Sequence, residues 1–220
     1  MEIIPTINCG DEECVRRALG IAALLGSEKV KFDVSDGTFA PTVTWNDPAE
    51  LPALLKKEGL EDAFAEAHLM VRDVKPVLAK WLAAGVRRAI VHVEVFPKEN
   101  SYDFFCELER MCGAAGAELG LAIAPRTSVD ELVPYLGETL FIQLLAVAPG
   151  PSGQAFDEGT FEKLEYLRDR APEATIEIDG GVTPAVARRL KEAGADIVAS
   201  SSYIFAARDP LAAYQEFLEA

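Results

Sequence analysis

The stretch Lys29–Pro41, KVKFDVSDGTFAP, alternates with period two, and its polar face carries charge where a buried strand is usually apolar. Val30, Phe32 and Val34 share one face of an extended chain, and Lys31, Asp33 and Ser35 share the other. The pattern returns in AEAHLMV, where Glu66, His68 and Met70 oppose Ala67, Leu69 and Val71, and in TIEIDGG, where Glu177 and Asp179 oppose Ile176 and Ile178. Removing a charge from water costs several kcal/mol unless it is paired, hydrated or metal-bound, so three such faces predict a shared wet cavity.

Outward from these segments, short apolar runs alternate with amphipathic stretches long enough to be crossover helices. The expected strands are Ile3–Ile7, Val30–Ser35, Ala65–Val71, Ala89–Val95, Leu119–Ile123, Leu140–Val147, Thr175–Asp179 and Asp196–Ala199. The expected helices are Glu12–Leu25, Ala49–Lys57, Val74–Ala84, Tyr102–Gly116, Val129–Leu136, Glu158–Arg170, Pro184–Ala193 and Pro210–Leu218. Asp47 before Pro48 and Thr183 before Pro184 read as N-caps, and Gly85, Gly116 and Gly194 as helix stops. Eight strand–helix units in 220 residues predict an α/β fold, a single (β/α)8 TIM barrel over residues 1–220. An open doubly wound sheet is the rival, but helices cover both of its faces, and Asp33, His68 and Asp179 would then lie buried under side chains.

Composition narrows the partners. With 21 Lys+Arg against 36 Asp+Glu the net charge is −15, which repels nucleic acid and anionic lipid at long range, so neither is an expected partner. No apolar run has the length of a membrane span and no basic-then-apolar leader opens the chain, so it is expected to be cytoplasmic. Cys9, Cys14, Cys106 and Cys112 match no zinc spacing and are read as reduced thiols.

In such a barrel, site residues come from the C-terminal ends of strands and the loops after them, where Asp33, His68 and Asp179 fall. The segments IPTI, FDVSDGTFAP, AHLMV, VHVE, APGPSGQAF, IDGGVTP, AGADIVASSS and YIFAARDP also resemble the ribulose-phosphate 3-epimerase family, in order and across nearly the whole chain. That resemblance implies a homo-oligomeric isomerase of carbohydrate metabolism acting on a small phosphorylated sugar, which exchanges a proton beside a ketose carbonyl through an enediolate. It implies Asp33 and Asp179 as the proton-exchanging carboxylates. It also implies a divalent metal (zinc, manganese or iron) on Asp33, His68 and Asp179, with His68 near the substrate. Inversion needs a base on one face of a carbon and an acid on the other, which is why two carboxyl groups suit this chemistry.

The sequence departs from the family where a second histidine ligand is expected: that position is Lys31, and a protonated lysine has no lone pair for a metal. Ser35 and Leu145 replace methionines at the same site, while Met70 remains. Lys31 can serve as a catalytic charge for an oxyanion, as a Schiff-base nucleophile, or as a counterion for Asp33, Glu66 or Asp179, and the site can hold a metal or none. Corresponding functional alternatives are a metal-independent isomerase, a decarboxylase or aldolase, or a phosphate-binding homologue without turnover.

For the phosphate, Gly180 and Gly181 precede the helix at Thr183–Pro184, and Ser201 and Ser202 follow the last strand, as in the phosphate cradle common to this fold. Gly150, Ser152 and Gly153 lie in a loop resembling the family's lid. Thr6 stands at the family's serine, next to Asn8, and both suit a sugar hydroxyl. His92 and Glu94, on one face of the fourth strand, are read as supporting polar groups. Alanines at 124 and 148, where the family has asparagine, imply shifted specificity.

Overall fold

The computed structural model describes residues 1–220. Eight parallel strands pair in chain order: β1 (Glu2–Ile7), β2 (Lys29–Ser35), β3 (Phe64–Met70), β4 (Arg88–His92), β5 (Glu118–Ile123), β6 (Phe141–Leu145), β7 (Thr175–Asp179) and β8 (Ile197–Ser200). Strand β8 pairs with β1, Ile3 opposite Val198, which closes the barrel and rules out the open sheet. The outer layer consists of α1 (Glu12–Leu24), α2 (Leu51–Lys57), α3 (Val74–Ala83), α4 (Ser101–Ala114), α5 (Thr160–Arg170), α6 (Pro184–Glu192), the single turn α7 (Ser202–Phe205) and α8 (Pro210–Leu218). None of these helices is long and apolar enough to cross a membrane.

Period-two alternation sorts each strand between two environments. Outward residues such as Val30, Phe32, Ile176 and Ile178 join a 51-residue apolar cluster between strands and helices. Inward residues form only a five-residue apolar cluster, Ile4, Ile90, Ala122, Phe141 and Ile197. Much of the remaining interior is polar. Arg88 on β4 pairs with its in-register neighbours on the flanking strands, Glu66 at 2.8 Å and Glu118 at 2.7 Å, with its guanidinium carbon 3.7 Å from the centre of the Phe141 ring. Its charge is thus paired on both sides and stacked, which offsets the cost of burying it.

Several local expectations are corrected. The fourth strand stops at His92, and Val93–Val95 turn into a 3-10 helix. The segment expected as a helix at Val129–Leu136 is a 3-10 helix over Val129–Tyr135; Pro134 lies within it and has no N–H for an α-helical bond. Asp47 makes no capping hydrogen bond and precedes a 3-10 turn at Pro48–Glu50, whereas Thr183 does cap α6, accepting from the Val186 N–H. Cys9 and Cys14, expected as thiols, form a disulfide, because the β1–α1 turn folds back and brings their Cα atoms to 5.6 Å. Cys106 and Cys112 are free.

Gly120 on β5 faces the interior. A methyl group there would stand 2.7 Å from Phe141 Cδ1 and 3.1 Å from Ile90 Cγ1. Gly120→Ala should therefore lower unfolding free energy in urea by about 1–3 kcal/mol, the usual cost of overpacking, and loosen the Arg88–Phe141 stack.

Candidate active site

Three strands deliver three polar side chains to one mouth. Asp33 lies near the end of β2, His68 of β3 and Asp179 of β7, and one donor atom from each lies within 4.8 Å of the others. His68 Nδ1 stands 3.1 Å from Asp33 Oδ1 and 3.7 Å from Asp179 Oδ2. All three are buried, yet they open on a cavity of about 260 Å³. The same cavity meets Gly150, Ser152 and Gly153 on one side, and Gly180, Gly181, Ser201 and Ser202 on another. Thus the proposed carboxylates and the proposed phosphate loops share one compartment.

The glycines at 180 and 181 have positive φ, 102° and 66°. A side chain at Gly181 would place Cβ 2.5 Å from the Phe156 N, and one at Gly180 would place Cβ 2.5 Å from Val147 Cγ2. Conformation and space both demand glycine here. Asn8 links the two halves of the mouth: its amide nitrogen donates to Asp33 Oδ2 at 2.8 Å and to Gly150 O at 3.3 Å.

Two sequence candidates lie elsewhere. Thr6 is fully buried off the cavity, its hydroxyl turned to Ile4 O at 3.4 Å. Lys31 lies behind the cavity wall, with no exposed side chain. Its ammonium donates to Gln143 Oε1 at 2.6 Å, to Asp179 Oδ2 at 2.9 Å and to Glu177 Oε1, so its three N–H bonds have three protein acceptors. Burial opposes the charged ammonium, but Asp179, Glu177, Glu66 and Asp33 outweigh it and hold the Lys31 pKa above its ordinary value. An amine so held is neither free nor deprotonated, as a Schiff-base nucleophile must be.

Around this ion the electrostatics diverge. Burial raises the Asp33 pKa, opposed by Lys31, the Asn8 hydrogen bond and His92. Burial, helped by the charge of Lys31, keeps His68 well below the usual imidazole range and therefore neutral. Glu177 is pushed up by burial and by the charge of Glu66. Glu94 goes the other way: burial would lift it, yet hydrogen bonds from His92, Thr127 and the Ala124 N–H, with the charge of His92, bring it to about 2.

Asp33, His68 and Asp179 are the residues that could hold a divalent metal. As arranged, they do not fit one. The Asp179 oxygen nearest His68 is the one that accepts from the Lys31 ammonium, which would set a cation against the metal at the shared ligand. Sequence reading missed Gln143, hidden in the apolar run Leu140–Val147, and gave His92 only a supporting place. His92 Nε2 lies 2.8 Å from His68 Nε2, and His92 Nδ1 lies 3.1 Å from Glu94 Oε2. The VHVE alternation was the one signal that could have found it.

Lys31→Met leaves Glu177 and Asp179 buried without their cation, and should cost about 3–5 kcal/mol in a urea titration. The folded-state pKa of Glu94, about 2, lies below its ordinary 4.5, so its stabilisation is complete above pH 4.5 and fades as pH falls toward 2. Glu94→Gln should accordingly flatten the acid limb of stability against pH in that window.

Comparison with known proteins agrees with this geometry. Residues 2–205 match the model of the ribulose-phosphate 3 epimerase family. A ribulose-phosphate 3-epimerase from Aquifex aeolicus is 32% identical over 211 residues, covering 94% of this chain and 90% of its own. One from Chlamydia trachomatis serovar D is 30% identical over 209 residues, covering 92% and 85%. Among solved structures, a 3-hexulose-6-phosphate synthase superposes with a TM-score of 0.73 over 99% of this chain and 98% of its own, at 16% identity, a likeness of fold. With the barrel closed and the aspartate pair, His68 and the glycine loops around one cavity, the chain belongs to the ribulose-phosphate 3-epimerase family.

Proposed function

We propose that this epimerase inverts the carbon beside the carbonyl of a phosphorylated ketose, with Asp33 and Asp179 exchanging the proton. The observation that carries the reading is the meeting of two buried carboxylates in a cavity whose rim is built from glycine and serine loops. One carboxylate takes the proton from carbon, and the electron pair of that C–H bond moves into the enediolate. The other carboxyl then returns a proton to the opposite face and the carbonyl re-forms, so the pair holds one proton before and after turnover and two while the enediolate exists. Run in reverse, the two roles exchange.

The phosphate is proposed to lie against Gly180, Gly181, Ser201 and Ser202, where backbone N–H groups and hydroxyls supply donors, with Gly150, Ser152 and Gly153 closing over it. Local donors of this kind act at contact distance, where the chain's overall negative charge is screened. The 260 Å³ cavity favours a small sugar phosphate over a larger ligand. A divalent metal of the family would polarise the carbonyl and spread the enediolate charge. The arrangement of Lys31 opposes such an ion, so no step here is assigned to it.

In deuterated water with ribulose 5-phosphate, the protein should introduce deuterium at the carbon beside the carbonyl. Asp33→Asn and Asp179→Asn should each slow that exchange by roughly 10²–10⁴-fold, the usual contribution of a positioned acid or base. Gly181→Ala should weaken inorganic phosphate binding by roughly ten- to a hundredfold, the loss expected for one or two hydrogen bonds to a charged group. Absence of exchange by folded wild type, with or without added zinc or manganese, contradicts the reading.

A further inference from the structure

We propose that Asn8 recognises the substrate hydroxyl that lies between the reacting carbon and the phosphate, accepting a hydrogen bond from it on the amide oxygen. The inference rests on the epimerase reading above and adds to it a specificity-determining residue. It begins with strand register. Thr6 on β1 stands opposite Lys31 on β2, and Ile7 opposite Phe32, so the next residue out, Asn8, falls beside Asp33 at the mouth. Asn8 also has the parity of Ile4, an inward residue of the same strand, which turns its side chain into the barrel rather than toward the helices.

The contacts of Asn8 settle which way its amide is turned. One amide atom lies 2.8 Å from Asp33 Oδ2 and 3.3 Å from Gly150 O. Gly150 O is a backbone carbonyl and can only accept, so the atom facing it is the nitrogen, whatever proton Asp33 carries. Both N–H bonds are then engaged, one on each neighbour. The amide oxygen is the free end. No protein donor meets it, and it is not among the buried unpartnered side-chain atoms, which belong to Thr42, Glu66 and Glu177. Asn8 therefore presents an accessible acceptor in the cavity wall, on a side chain already fixed by two hydrogen bonds. An acceptor held in advance binds a donor without having to be ordered first.

Position decides which donor it meets. Asp33 flanks the reacting carbon, and Gly150 belongs to the loop over the phosphate. A side chain bonded to both stands alongside the part of the substrate that joins them. Asn8 also shares with Ser152, Ser201 and Ser202 the lining of a second, adjoining cavity of about 180 Å³, which sets it against the phosphate loops themselves. On the β6 side the main cavity is walled by Leu145, Val147 and Ala148, which offer no side-chain acceptor. In a pentulose 5-phosphate the group in this stretch is the hydroxyl at carbon 4, and its O–H is met by Asn8. A role confined to orienting Asp33 would affect all substrates alike, whereas recognition of a hydroxyl changes the ratio between a substrate that has it and one that lacks it.

The test compares ribulose 5-phosphate with its 4-deoxy analogue, which keeps the carbonyl, the reacting carbon and the phosphate. In calorimetric titration, wild type should bind ribulose 5-phosphate roughly ten- to a hundredfold more tightly, the loss expected when a polar group of the site is left without its partner. Asn8→Leu, similar in volume and without polar atoms, should bind the two nearly equally. A wild type that binds both compounds equally overturns the proposal even if the variant fails to fold. A folded Asn8→Leu protein that keeps the wild-type ratio also overturns it, since Asn8 then only orients Asp33. Deuterium exchange separates this from the reading beneath it. Discrimination in binding without exchange upholds the role of Asn8 and overturns the epimerase reading; exchange with equal binding of both compounds does the reverse. Binding of neither compound by folded wild type overturns both.

Discussion

An ammonium buried inside a barrel has to be surrounded by acceptors, and much of this interior follows from that requirement at Lys31. Its three hydrogen bonds run from β2 across the lumen to Gln143 on β6 and to Glu177 and Asp179 on β7. Removing such a charge from water would cost several kcal/mol, and only complete pairing offsets it. The same contacts tie opposite walls of the barrel together directly beneath the mouth. Stability and site geometry therefore depend on one cation.

The polar interior continues downward. Arg88, held between Glu66 and Glu118 and stacked on Phe141, fills space that a more apolar barrel would give to branched side chains. Glu66 Oε1 and Glu177 Oε2 have no hydrogen-bond partner, so the network is not fully satisfied. A half-satisfied network of this kind is costly, and the large apolar layer outside the strands carries the fold in spite of it. Specific charges at the centre are thus supported by bulk hydrophobic packing at the periphery.

How much of this was legible in the sequence follows from the range of each interaction. Period-two alternation is local, so the inward faces of Lys29–Ser35, Phe64–Met70 and Thr175–Asp179 could be read directly. Once eight strand–helix units implied a barrel, Asp33, His68 and Asp179 had to approach one another at its C-terminal rim. Of Lys31's partners only Asp179 was among the expected counterions, because Gln143 and Glu177 lie 112 and 146 residues away along the chain. Gln143 looks like an interruption of an apolar strand until its oxygen is seen on that ammonium. Cys9 and Cys14 failed for a different reason: low cysteine density says nothing about a turn that brings two of them together. Thr6 has the inward parity of a site residue, but it lies below the cavity and bonds its own strand.

Of the departures from the family, the one at Lys31 reaches furthest into the site's chemistry. Replacing a neutral imidazole by a permanent cation changes what its neighbours can do, and here Asp179 and Gln143 accept from that cation. A zinc-soaked crystal measured at the zinc absorption edge tests this most directly. The expected map has no anomalous peak among Asp33, His68 and Asp179, with Lys31 Nζ still within hydrogen-bond distance of Gln143, Glu177 and Asp179. A well-occupied zinc peak among those three residues, with Lys31 swung away from Asp179, would contradict it.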